Sequence, residues 1–349
     1  MTVLLEAQNI TKIFGGGVGR HAQTVTALRH FTFTIDAAQP FVTGIIGESG
    51  SGKSTMARLL LGLETPTEGS ILYMGKNIQR LRGADRREFR QNVQAIFQDP
   101  FESFNSLYKV DHMLEVPLKK FKLARTREEI HQKMVDALVA VGLRPEETLG
   151  RYPHQLSGGQ RQRIMVARAL MLNPKLIIAD EPVSMIDASL RASVLANLRQ
   201  LRDRYGISLV YITHDLTTAY QICDNIIVLY RGCVAEVGAV GTVVKEPKHP
   251  YTQLLVSSIP WPDPDRLWSE EQAPSPMASA ANLERGCPFA ARCPSTFDRC
   301  LHDMPPFFQT NARQAAACFL YQEAPSLAFD QMNTLLVHEN NHPRSSAVP

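Results

Sequence analysis

The nine residues Gly47-Glu-Ser-Gly-Ser-Gly-Lys-Ser-Thr55 constrain this chain more than any other stretch. Gly47, Gly52, Lys53 and Ser54 have the spacing of a phosphate-binding loop, in which backbone N–H groups cradle a polyphosphate. In such a loop the lysine reaches the β- and γ-phosphates and the hydroxyl ligates Mg²⁺. The loop works only between a strand and a helix whose N-terminus faces the anion. An apolar run, 41–46, leads into the motif, and a helix-period stretch, 54–63, leaves it. Glu48, Ser49, Gly50, Ser51 and Thr55 therefore join the candidate nucleotide site. Gly15, Gly16, Gly17 and Gly19 lack a following Lys-Ser pair and a strong preceding strand, and read as a flexible loop.

Further apolar runs at 93–97, 176–179, 207–213 and 226–230 read as buried strands. Amphipathic helices alternate with them. Thr126 and Glu129 form a capping box ahead of Ile130, Met134 and Leu138, and Gly142 offers a stop. Asp187 precedes a helix that carries Leu190, Val194, Leu198 and Leu201 on one face and ends near Gly206. This alternation predicts a three-layer α/β domain with a largely parallel sheet. At 349 residues the chain exceeds one typical domain. A net charge of +3, spread along the sequence, leaves no electrostatic footprint of nucleic-acid binding. No apolar run approaches the ~20 residues of a membrane helix, and the start shows no secretory signal. A reducing compartment is expected, with the six cysteines as thiols or metal ligands.

Leu176-Ile-Ile-Ala-Asp-Glu-Pro182 is a strand ending in two acids at the sheet edge where open α/β folds bind ligands. Asp180 suits a Mg²⁺ ligand, and Glu181 suits the base that orients and deprotonates water. Leu156-Ser-Gly-Gly-Gln160 places Ser157, Gly158, Gly159 and Gln160 at the start of a helix, where N–H groups can meet a γ-phosphate. With these motifs the chain resembles the ATP-binding cassette (ABC) ATPases. The resemblance implies a P-loop NTPase fold: a RecA-like core, an antiparallel β subdomain, and a helical signature subdomain at about 100–170. It assigns Gln98, in Ile96-Phe-Gln-Asp-Pro100, to the Q-loop glutamine that meets Mg²⁺, water and the membrane partner. His214, in Ile212-Thr-His-Asp215, matches the switch histidine. Asp187 matches the D-loop acid, although Met185 and Ile186 depart from the common Ala-Leu. Phe14 matches the aromatic that stacks on adenine, with plain core packing as the alternative.

The end of the chain narrows the resemblance. Pro247-Lys-His-Pro-Tyr-Thr252 and Gly286-Cys-Pro-Phe-Ala-Ala-Arg-Cys-Pro294 look like the extension of oligopeptide and dipeptide importer ATPases. The expected organisation is a cassette over 1–245, a cysteine-bearing extension over 246–337 with a proline-rich linker at 261–282, and a tail at 338–349 without fixed structure. Cys287, Cys293, Cys300 and Cys318 have spacings that suit a tetrahedral sulfur site. A 4Fe–4S cluster is the expected occupant, with zinc or unligated buried thiols as alternatives; Cys223 and Cys233 read as packing residues. One phosphate loop and one signature imply half of each of two ATP sites. The resemblance therefore implies ATP and Mg²⁺, a sister ATPase, two transmembrane permeases, an extracytoplasmic solute-binding protein acting indirectly, and a peripheral place on the cytoplasmic face of the inner membrane. Peptides are the default substrate. A soluble ABC ATPase acting on nucleic acid or ribosomes, or the nucleotide-binding half of an exporter, is the alternative; the sequence shows neither heptad insertions nor fused spans.

Overall fold

The computed structural model describes residues 3–15, 24–98, 104–259 and 285–336. The linker at 261–282, the tail at 338–349 and most of the glycine run after Gly15 lie outside them. Strands and helices are numbered in chain order.

The central sheet is built on β3 (Val42–Ile46), β6 (Val93–Ile96), β7 (Leu176–Asp180), β8 (Ser208–Thr213) and β9 (Asn225–Tyr230). These five run parallel in the order β9-β3-β8-β7-β6. Every residue of β3, β8 and β9 is buried, as the uninterrupted apolar runs require of a sheet covered on both faces. The strand period of two sorts these residues between two cores. Val42, Ile46, Leu209, Tyr211, Ile226 and Val228 face the helical side. Ile45, Val210, Ile212, Ile227 and Leu229 face a second core with the antiparallel sheet.

That second sheet has the order β2-β1-β4-β5, from β1 (Val3–Phe14), β2 (Val25–Asp36), β4 (Glu68–Tyr73) and β5 (Lys76–Asn77). The antiparallel subdomain implied by the resemblance is thus present, although the residues of β1 and β2 gave no strand reading. On the other face pack α3 (Val110–Phe121), α4 (Arg127–Ala140) and α6 (Gly158–Leu170). Leu114, Leu118, Met134, Leu138, Ile164 and Val166 make their shared core. The Thr126–Glu129 capping box forms as expected. No described helix is long and apolar enough to cross a membrane.

The extension continues the central sheet. β10 (Cys233–Ala239) pairs antiparallel with β9 and with β12 (Gln314–Ala316), followed by β11 (Phe307–Asn311) and β13 (Ser326–Leu327). It feeds both cores: Phe289 and Ala290 enter the helical side, while Phe307, Ala315, Met332 and Leu335 enter the other. Glu236, fully buried on β10, is the joint. It accepts the N–H groups of Lys248 (3.0 Å) and His249 (2.8 Å) and the Gln314 amide (2.6 Å). Burial raises its pKa, and these hydrogen bonds work against that rise. Glu236→Ala strips the partner from two backbone N–H groups and a buried amide, so stability should fall by about 2–4 kcal/mol, read from urea denaturation.

Candidate functional site

The C-terminal ends of the parallel strands gather the sequence motifs at one edge. The loop after β3 runs into α1 (Lys53–Leu60), one residue earlier and shorter than the 54–63 stretch suggested. The chain turns away from the helix axis at Gly62, φ +66°. Glycine is obligatory at two loop positions. A Cβ on Gly47 would lie 2.2 Å from the Leu229 carbonyl oxygen, and one on Gly52, at φ +103°, 2.2 Å from that of Ala27. Ser51 is buried, whereas Ser49, Gly50 and Ser54 are exposed and Thr55 half-buried. Lys53 is buried and donates to the carbonyls of Gly47 (2.7 Å) and Glu48 (2.9 Å). Burial lowers its pKa, opposed by Glu181, Asp180 and Glu48 in that order.

Asp180 closes β7 beside the loop. Burial raises its pKa, while a hydrogen bond with the Ser54 hydroxyl and the charge of Lys53 act the other way. Its Oδ1 is buried with no hydrogen-bond partner among the described residues. A carboxylate oxygen left free next to a hydroxyl fits a divalent cation. Glu181 follows at φ +45°, a left-handed conformation costly for a side chain of this size and concentrated at functional sites. Its N–H donates to the Ile212 carbonyl at 2.8 Å, and its own carbonyl accepts the Ser184 hydroxyl at 2.9 Å. This fixed backbone aims the carboxylate at two partners. His214 Nδ1 lies 2.9 Å from Oε1, and Gln98 Nε2 donates to Oε2 at 3.4 Å. Because the carboxylate accepts, the His214 proton in this contact sits on Nδ1.

Ser157 caps α6, with its hydroxyl accepting the Gln160 N–H at 3.2 Å and the Gln160 amide oxygen accepting the Ser157 N–H at 2.9 Å. A Cβ on Gly159 would press on Leu190 at 3.0 Å, and one on Gly158 would lie 3.4 Å from the Met185 carbonyl oxygen. The signature thus packs against the segment around Asp187, which precedes α7 (Ala188–Tyr205) without a side-chain cap bond. Among the described residues no hydrogen bond joins 157–160 to the loop at 47–55. Phe14 ends β1 partly exposed, with the Lys12 ammonium 4.7 Å from its ring centroid. Asp99 and Pro100, beside Gln98, are outside the described residues.

The expectation for the cysteines is corrected. Cys287, Cys293, Cys300 and Cys318 border one cavity, walled by His249, Phe289, Phe297 and Phe319. No three His, Cys, Asp or Glu side chains among the described residues are grouped so that they could hold a metal ion. The 4Fe–4S cluster, and zinc in its place, are therefore not supported. All four cysteines are free thiols. Burial pushes Cys287 up to about 12 and Cys318 up to about 11, and raises Cys293, so this apolar setting favours the protonated thiol over the thiolate a metal needs.

A family profile described as ABC transporter matches residues 28–184, and one described as oligopeptide/dipeptide transporter, C-terminal region, matches 235–300. The putative oligopeptide transport ATP-binding protein YkfD of Bacillus subtilis is 40% identical over 92% of this chain and 96% of its own length. The chain belongs to the ABC transporter ATPases. Within that family it is closely related to the oligopeptide/dipeptide importer ATPases. The oligopeptide transport ATP-binding protein OppF of Haemophilus influenzae is 39% identical, covering 85% of this chain and 89% of its own. Among solved structures, a dimeric ATP-binding cassette, MJ0796, bound to ADP and Pi superposes at a TM-score of 0.59 with 29% identity. It covers 68% of this chain and 99% of the cassette. The chain is an ATP hydrolase of this fold.

Two residues of this ABC ATPase that touch the loop escaped the sequence reading. Tyr251 Oη accepts the Glu48 N–H at 2.8 Å, and Arg292 meets the Glu48 carboxylate. They lie 203 and 244 positions from Glu48, and no local pattern signals such pairs. Gly47→Ala should cut ATP affinity more than tenfold, because the added methyl cannot share space with a backbone carbonyl. Fluorescent-nucleotide titration of the purified chain checks this.

Proposed function

We propose that this chain is the ATP-hydrolysing subunit of an importer for peptides or a related small solute. In this reading it pairs with a sister ATPase, heterodimeric with it, and drives two permeases from the cytoplasmic face of the membrane. The observation that carries the ATPase chemistry is the Glu181 carboxylate, fixed by a left-handed backbone and bracketed by His214 and Gln98. A water held there would lose its proton to Glu181 as it attacks the γ-phosphate, while His214 holds the carboxylate in line. Lys53 would leave the Gly47 and Glu48 carbonyls for the phosphates, and N–H groups of the exposed residues Ser49, Gly50 and Ser54 would wrap them. Ser54, Asp180 and Gln98 would hold Mg²⁺, which when bound neutralises charge on the phosphates. Phe14 would stack on adenine.

Residues 157–160 would serve the sister subunit's nucleotide, because their N–H groups belong to a helix packed on the Asp187 segment rather than on this chain's own loop. The dimeric state of the MJ0796 cassette supports such a pairing. Peptide as the solute is supported by the names of YkfD and OppF, which are 40% and 39% identical. Glu181→Gln should keep ATP binding while turnover falls by ~10²–10⁴, the range for losing a general base. Near-normal turnover in the assembled transporter would remove Glu181 from that role.

A further inference from the structure

The cysteine-bearing extension reaches the phosphate-binding loop at Glu48. Arg292 sets Nη1 2.8 Å from Glu48 Oε2 and Nη2 3.0 Å from Oε1, a two-pronged ion pair. The guanidinium lies 5.7 Å from the Tyr230 ring centroid and 5.6 Å from that of Phe289, both within cation–π range. Tyr251, from α10 (Pro250–Ser257), accepts the Glu48 N–H, and the Glu48 carbonyl accepts Lys53 Nζ. The side chain and amide of Glu48 are therefore held by the extension, and its carbonyl holds the loop lysine.

Charge gives this arrangement a purpose. Lys53 feels three carboxylates: Glu181, Asp180 and Glu48. The first two are placed for water and metal. Glu48 lies on the loop itself, where an uncompensated negative charge repels a triphosphate. The ion pair also raises the pKa of Arg292, which stays cationic at any physiological pH.

We propose that Arg292 is a positioning residue for ATP, acting through Glu48: it cancels the carboxylate's charge and holds it against the extension, so that the loop presents an attractive lining to the triphosphate. The inference rests on reading 47–55 as the ATP loop. The extension then has a task at the nucleotide that needs no metal.

The test is titration of Mg·ATP into the purified full-length chain, with turnover measured in the assembled transporter. Arg292→Gln should raise the Kd for ATP by about five- to tenfold while kcat stays within about twofold. Adding Glu48→Gln to Arg292→Gln removes the charge that Arg292 cancels, so the double variant should regain most of the lost affinity and return to within about twofold of the parent. A clamp acting by shape alone would weaken both single variants alike, and that result overturns the proposal. So does an Arg292→Gln affinity within twofold of the parent, or a double variant no better than Arg292→Gln. Arg292→Lys, which keeps the charge, should retain most of the affinity; a loss as large as that of Arg292→Gln also overturns it. Lys53→Ala separates the two readings. If it binds ATP normally, the loop reading itself fails; if it loses ATP while Arg292→Gln does not, only the role of Arg292 fails.

Discussion

Backbone packed directly on backbone sets the shape of the nucleotide loop, and the surrounding elements are arranged around that contact. Gly52 lies against the Ala27 carbonyl of β2, Gly47 against the Leu229 carbonyl of β9, and Gly232 against Ala27 again. Two hydrogen bonds lock the junction: Gly232 N–H to the Ser51 carbonyl at 2.9 Å and Arg29 N–H to the Gly232 carbonyl at 2.8 Å. The antiparallel sheet, the parallel sheet and the loop therefore meet where no side chain fits. A site built this way is preorganised, because its N–H groups are aimed before any ligand arrives.

What the sequence disclosed follows from how local each signal is. Strands β3, β8 and β9 were legible because burial on both faces writes an unbroken apolar run. β1 was not. Its partly exposed Glu6, exposed Gln8 and Asn9, and part-exposed Lys12 interrupt the pattern, its pairing with β2 shifts register, and Asn9 sits at φ +48°. Strand formation there depends on partners on both sides, which a single segment cannot report.

The catalytic cluster shows the same division. Lys53, Asp180, Glu181 and His214 each stand in a short motif, and their chemistry was readable from residue type and spacing. Their geometry was not: the strain at Glu181 and the Gln98 contact arise from sheet order. For the cysteines, spacing reported a count of sulfurs and nothing about the aromatic walls that bury them. Arg292 was illegible because Glu48 lies 244 positions away, and an arginine beside a cysteine looks like any surface arginine. Glu236 was illegible because one of its partners, Gln314, is 78 positions downstream and the others are backbone N–H groups that residue type does not signal.

The extension's reach has a consequence for the order in which the molecule is made. Asn333 exchanges hydrogen bonds with Thr34 on β2, at 3.0 and 2.9 Å, joining positions 299 apart. β10 likewise waits for β12, more than seventy residues downstream, before its open edge is paired. On a ribosome delivering ~5–20 residues per second, the ATP-site half of the chain emerges well before the strand that covers it. A nascent chain therefore presents an unpaired strand edge and an incomplete core for seconds, a window in which edge-to-edge association competes with folding. Completion of the last strands is what closes that window.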